Sequence, residues 1–214
     1  MVTLVISLGF TVEYLVRVIS NRGLKDVDGV VVFSVYGKDE FSKKRSDETL
    51  RYAEDYLNKV GVKNYILKYV NVDVPFEEIL SQINDVLHPY IEIEFHLIGG
   101  MRVLLLSLYY YAMLCNLVKK KVKMTLYTED FASSYEPPLN LPEIPESREA
   151  LEIVRLLNRE GEMKLSDIAK KLGKSESTIS KQLDLLDGLI ECRKIQNKKM
   201  CKLSPMGKIL ITMW

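Results

Sequence analysis

The chain has 214 residues, 47% of them apolar and 28% charged, with a formal net charge of +1; this is the make-up of a globular protein of one or two domains, and it excludes a disordered or fibrous chain. No run of about 18 uncharged apolar residues occurs, because Arg102 interrupts the best stretch, Leu97 to Val118, so no membrane-spanning helix is expected. Three cysteines (Cys115, Cys192, Cys201) and two histidines (His88, His96) share no ligand spacing, so neither a disulfide scaffold nor a metal site is expected.

The chain opens on a strand-like run, Val2–Ser7, in place of the basic start and cleavage site of a secretory signal, so a cytoplasmic location is expected. Apolar runs then alternate with helical patterns. Strands are expected at Val2–Ser7, Gly29–Tyr36, Asn64–Val70, Ile91–Ile98 and Val122–Thr128. Helices are expected near Val12–Asn21, Ser46–Val60, Pro75–Leu87 and Met101–Val118, with Asp73 and Pro75 suited to the cap and first turn of the third. This alternation predicts an α/β fold, a mostly parallel Rossmann-like sheet with helices on both faces. The strand runs are continuously apolar, as strands covered on both sides must be.

The segment 131–146 holds four of the seven prolines, Pro137, Pro138, Pro142 and Pro145. It reads as an extended linker between a domain of residues 1–130 and one of 147–214. Charge divides at the same place. Residues 147–214 carry 14 Lys and Arg against 9 Asp and Glu, whereas residues 1–146 carry 16 against 20. Only the basic part is suited to a polyanion.

That part reads as a winged helix-turn-helix. Ser147 can cap a helix, Arg148–Arg159, which Gly161 ends. A second helix, Ser166–Leu172, meets a tight turn, Gly173-Lys174-Ser175. Ser175 caps a third, Glu176–Leu186, whose outward residues Ser177, Thr178, Ser180, Lys181 and Gln182 are short and polar, as major-groove entry requires. A hairpin follows, Leu189–Ile195 and Lys198–Leu203, turning at Gln196-Asn197. Its Arg193, Lys194, Lys198 and Lys199, with Lys174, are placed to grip phosphate. Ser204-Pro205 then starts a last helix, Met206–Met213. The segment Leu165 to Leu183 resembles winged-helix regulators of the MarR and ArsR type. Double-stranded DNA is the expected partner; docking on another protein is the alternative.

A turn at Gln196-Asn197 sets Cys192 opposite Cys201 at a non-hydrogen-bonded pair, where Cα atoms come nearest. A disulfide and two reduced thiols both remain open.

Two strand ends look special in a sheet of this class, whose ligands sit beyond the carboxyl ends of the strands. One is Ser7-Leu8-Gly9-Phe10-Thr11; the other is Gly99-Gly100-Met101-Arg102. Glycines let backbone N–H groups approach a ligand, helix N-termini favour anions, and Arg102 adds a fixed positive charge. Neither spells a known nucleotide-binding signature.

Those two strand-to-helix turns, the long apolar helix after the second, and the C-terminal winged helix together resemble the CRISPR-associated Rossmann-fold (CARF) transcription regulators of archaea, over nearly the whole chain. The resemblance implies a homodimer with a pocket on its two-fold axis for cyclic oligoadenylate, most of all cyclic tetra-adenylate, and regulation of CRISPR-Cas genes. It carries Ser7, Leu8, Gly9, Phe10, Thr11, Gly99, Gly100, Met101 and Arg102 over as the pocket; Met101 stands where members often have threonine. No cofactor is implied and no catalytic residue is assigned. The alternative is a ring nuclease that cleaves the cyclic ligand by positioning alone.

Other features read blandly. His96 is expected to be a satisfied core histidine, and Lys119-Lys120-Lys121 a solvated helix end. Lys43-Lys44-Arg45 reads as a similar charged run in a loop from which the pocket rim is within reach.

Overall fold

The computed structural model describes residues 1–36, 39–139, 145–196 and 198–211. The chain forms two compact units, Met1–Leu139 and Asn140–Trp214. Among the described residues no helix is long and apolar enough to cross a membrane.

The first unit alternates β1 (Val2–Ser7), α1 (Glu13–Arg22), β2 (Val27–Ser34), α2 (Glu40–Lys59), β3 (Tyr65–Tyr69), α3 (Phe76–Leu87), β4 (Glu92–Leu97), α4 (Arg102–Leu117), β5 (Lys121–Tyr127) and β6 (Ser134–Tyr135). The sheet order is β3-β2-β1-β4-β5-β6. The first five strands are parallel, and β6 is an antiparallel edge paired with Leu126 and Tyr127. Successive strand residues feed opposite faces. Leu4, Ile6, Val30 and Val32 pack with Leu15, Val18, Leu50 and Leu57 of α1 and α2. Val5, Val31, Phe33, Ile93 and Phe95 pack with Ile83, Leu87, Leu104 and Leu108 of α3 and α4. Burial on both faces is why β1 and β2 are mostly apolar; β3, β4 and β5 depart from the expected continuous apolar run, with Lys68, Glu92, Glu94, Lys121 and Lys123 at their less buried positions.

Three differences from the sequence pattern have local causes. α2 begins at Glu40, six residues before the expected Ser46, because Asp39 caps it by accepting from the Ser42 amide (2.9 Å). Its first turns are polar and carry no apolar period to announce them. Pro75 is the N-cap of α3 and not part of its first turn. The segment from residue 131 does not start as a free linker: Ser134 and Tyr135 form β6, and Leu139 packs on the sheet core. Pro142 lies outside the described residues.

The second unit holds α5 (Arg148–Glu160), β7 (Met163–Lys164), α6 (Leu165–Leu172), α7 (Glu176–Asp184), β8 (Ile190–Ile195), β9 (Lys198–Leu203) and α8 (Pro205–Ile211), with a three-stranded sheet ordered β7-β9-β8. Ser147 caps α5 by accepting from the Ala150 amide, and Gly161 (φ 80°) ends it. Gly173 closes α6 in the left-handed region at φ 65°. α7 stops at Asp184, two residues short of the expected Leu186. Ile153, Val154, Leu157, Ile168, Ile179, Leu183 and Leu186 meet in one core. Ser204 caps α8 by accepting from the Gly207 amide (2.9 Å). Of the expected wing turn, Asn197 lies outside the described residues, as do Thr212 and Met213 of the last helix.

Candidate functional site

In the strand order β3-β2-β1-β4, the chain winds one way from β1 and the other way from β4, so the sheet's switch point lies at the carboxyl ends of these two strands. The two sequence motifs meet there. A Cβ on Gly9 would lie 2.9 Å from the Gly100 amide nitrogen and 3.2 Å from its Cα, so the two turns touch through bare backbone. Gly100 has φ +112°, which L side chains rarely adopt. A Cβ on Gly99 would lie 2.7 Å from Tyr14 Cδ2, so a ring of α1 fills the space that this glycine leaves.

Ser7 and Leu8 are fully buried. The Ser7 hydroxyl accepts from the Ile98 amide (3.1 Å) and so ties the end of β1 to the end of β4. Leu8 donates its amide to the Phe33 carbonyl (2.8 Å) and sends its side chain into the core. Ser7 positions the turns without lining the cleft, whereas Leu8 lines it at its base and the remaining motif residues face the opening. Gly9, Phe10, Thr11, Gly99, Gly100, Met101 and Arg102 line one cleft of ≈560 Å³. Tyr14, Arg45 and Glu129 line it too, although the sequence motifs do not include them. Arg45 belongs to α2, not to a loop, and its guanidinium sits 5.0 Å from the centre of the Phe10 ring.

The electrostatics favour an anion. α1 and α4 start beside the cleft at Val12 and Met101, and neither has a side-chain cap, so their first-turn N–H groups remain available. Arg102 opens α4 and makes no ion pair among the described residues. Among the described residues Glu129 is the one carboxylate lining the cleft.

Behind it, two residues before Ile98, His96 is buried and satisfied. Its Nε2 donates to Glu94 (3.1 Å), and its Nδ1 lies 2.9 Å from the Tyr127 hydroxyl. The hydrogen bond from His96, with the Arg22 guanidinium at 2.8 Å, holds the Glu94 carboxyl at about 2. Among the described residues no group of His, Cys, Asp and Glu is placed to hold a metal ion.

In the second unit, the outward face of α7 is only partly free. The Ser175 hydroxyl caps the helix by accepting from the Thr178 amide (3.1 Å), and it lies 2.8 Å from both the Ser177 and the Thr178 hydroxyls. Ser177 and Lys181 are exposed and Ser180 half-buried. Gln182 is engaged within the module: it accepts from the Ser147 hydroxyl (3.1 Å) and donates to Glu149 (3.4 Å). Glu149 also pairs with Lys174 at 3.2 Å.

On the wing, Arg193 is held by Glu162 through two contacts of 3.1 and 3.2 Å. Lys194 stands directly opposite Lys199, and Lys198 opposite Ile195. Lys194, Lys198 and Lys199 make no ion pair among the described residues. Cys192 and Cys201 are partners in the same register, with Cα atoms 4.1 Å apart, and are joined as a disulfide.

The chain thus carries a strand-end cleft and a helix-and-wing surface. Comparison with known families gives a match for each. Residues 2–138 match the Csa3 CRISPR-associated Rossmann-like domain, and residues 148–189 match the ArsR family of bacterial regulatory proteins. Comparison with curated proteins finds no match. Solved structures that resemble part of this chain include the transcriptional regulator HlyU from Vibrio vulnificus, 28% identical over 32% of this chain and 73% of that one (TM-score 0.29). Another is the homodimeric winged helix-turn-helix domain Mb0332 from Mycobacterium bovis, 24% identical over 31% and 68% (TM-score 0.28). Can2 from Sulfobacillus thermosulfidooxidans, solved with cyclic tetra-adenylate, aligns over 99% of this chain and 63% of its own at 10% identity (TM-score 0.48). The chain belongs to the family of the Csa3 CRISPR-associated Rossmann-like domain, and joins that domain to a winged helix of the ArsR regulatory type.

Proposed function

We propose that the protein is a ligand-responsive DNA-binding regulator of CRISPR-Cas genes whose effector is a cyclic oligoadenylate, with cyclic tetra-adenylate as the ligand to test first. The observation that carries this reading is the meeting of Gly9 and Gly100 at the switch point, which opens two uncapped helix starts and Arg102 onto one cleft. Backbone N–H groups and a fixed cation suit a ligand whose charge is spread over several phosphates.

The protein acts as a homodimer. An exposed apolar stripe on α4, Val103, Leu106, Tyr110 and Leu117, supports this, because it begins beside the cleft and has the spacing of a helix contact. Two copies joined there bring two clefts and two Arg102 side chains to one cyclic polyanion. The winged helix binds double-stranded DNA. Ser175, Ser177, Thr178, Ser180, Lys181 and Gln182 serve the major groove and nearby backbone, while Lys174, Arg193, Lys194, Lys198 and Lys199 meet phosphates. Gln182, Lys174 and Arg193 must exchange their acidic or hydroxyl partners for DNA.

A test is calorimetric titration of the full chain with cyclic tetra-adenylate, beside Arg102→Ala. Binding that the variant weakens at least tenfold supports the pocket; no binding to the unaltered chain removes this effector.

Glu129 gives one specific reason to keep a second reading, ring cleavage, since it places a carboxylate in the cleft where a ribose 2′-hydroxyl would need a base. Linear products after incubation with the cyclic ligand, absent with Glu129→Gln, would favour the nuclease. An unchanged ligand favours the regulator.

A further inference from the structure

We propose that the strand-end cleft continues sideways into a subsite for a nucleobase, built from Phe10 and one face of α2. This rests on the reading above only in taking the ligand to be a nucleotide. A second cleft of ≈370 Å³ adjoins the first, and Phe10 and Arg45 line both. Its other walls include Tyr52 and Thr49, with the carboxylates Glu13 and Glu48.

Phe10 is 43% exposed and Tyr52 51%, so neither ring is explained by the core. On α2, Phe41, Arg45, Glu48 and Tyr52 recur every three or four residues and share one face. Arg45 lies 5.0 Å from the Phe10 ring centre and 5.8 Å from that of Phe41, and Arg51 lies 5.5 Å from that of Tyr52.

A planar guanidinium over an aromatic ring occupies the place that a stacked base would take, and the two are interchangeable partners for a π face. The acids decide which part of a nucleotide goes where. Glu13 and Glu48 repel phosphate from the outer cleft, and they accept hydrogen bonds from an exocyclic amine. Phosphate therefore lies at the glycine turns. The base, one carrying an amino group, displaces Arg45 from Phe10 and stacks in the outer cleft.

The test compares adenosine 5′-monophosphate with ribose 5-phosphate, which differ only in the base, by calorimetry on the full chain, Phe10→Ala, Phe10→Tyr and Tyr52→Ala. The nucleotide should bind the unaltered chain roughly 5- to 100-fold more tightly than the sugar phosphate. That advantage should collapse in Phe10→Ala and Tyr52→Ala and persist in Phe10→Tyr. Equal affinities for the two probes, including no binding of either, overturn the proposal, as does an advantage that survives both alanine variants. A base advantage without any binding of cyclic tetra-adenylate sinks the effector reading and leaves this subsite standing. Cyclic tetra-adenylate that binds equally to the unaltered chain and both alanine variants does the reverse.

Discussion

Lys194 and Lys199 face each other across the wing with no carboxylate partner among the described residues, an arrangement that costs stability unless an anion joins it. Replacing both by glutamine keeps side-chain length and removes the charges. Like charges directly opposite on a sheet destabilise by about 0.2–1 kcal/mol. Relieving them should raise the melting temperature of the unit by roughly 1–8 °C, given about 4–8 °C per kcal/mol for a domain of this size. DNA binding should move the other way. Each lost phosphate contact lowers the slope of log K against log salt by about 0.9, so the pair lowers it by about 1.8 for each winged helix on the duplex. At about 0.15 M salt, that release is worth about 1 kcal/mol per contact, so affinity falls about 30-fold for each winged helix engaged, on any duplex. Anisotropy titrations over a salt series, beside thermal melts of the free protein, read both effects. A variant that melts lower and binds DNA unchanged would show that these lysines serve the hairpin and not the phosphates.

Three further outcomes follow from the geometry. Glu149→Gln removes the ion pair that holds Lys174, so DNA affinity should rise severalfold; a fall would mean that Glu149 holds the recognition surface in its binding shape. Gly9→Ala puts a methyl against the Gly100 backbone, which cannot swing aside as a side chain can. It should cost about 1–3 kcal/mol of stability and at least tenfold in ligand affinity, and a variant keeping both would refute the tight turn-to-turn contact. Glu94, held at about 2 against an ordinary 4.5, contributes stability that is complete above about pH 4.5 and is lost as pH falls toward 2. Denaturation of Glu94→Gln should therefore show a shallower loss from pH 5 to pH 3 than the unaltered chain, by about 2 kcal/mol at most; identical slopes would contradict the His96–Glu94–Arg22 network.

Much of the fold was legible because strands buried on two faces are dominated by apolar residues, and Val2–Ser7 and Val30–Ser34 are, apart from Thr3 and the serines that end them. Two-residue strands such as Ser134–Tyr135 and Met163–Lys164 have no period to show, so only tertiary pairing reveals them. The same holds for the site. Gly9 and Gly100 announce themselves by the backbone freedom that a close approach requires. Arg45 reaches the cleft because a parallel crossover returns α2 beside β1, and Glu129 because β5 ends next to β4; neither proximity is written in local spacing. Ser7 sits where the motif puts it, but its hydroxyl is spent on the Ile98 amide, a partner 91 residues away. Gln182 is on the face expected of it, yet Ser147 and Glu149 already occupy it.

The coupling of cleft to wing is the central claim, and reciprocal titration tests it most directly. A duplex selected from a randomised library would be titrated with and without cyclic tetra-adenylate, and the cyclic nucleotide with and without that duplex. The account predicts that each ligand changes the affinity of the other by the same factor, in the range of roughly 5- to 150-fold. A DNA affinity that is identical with and without the bound nucleotide would contradict it.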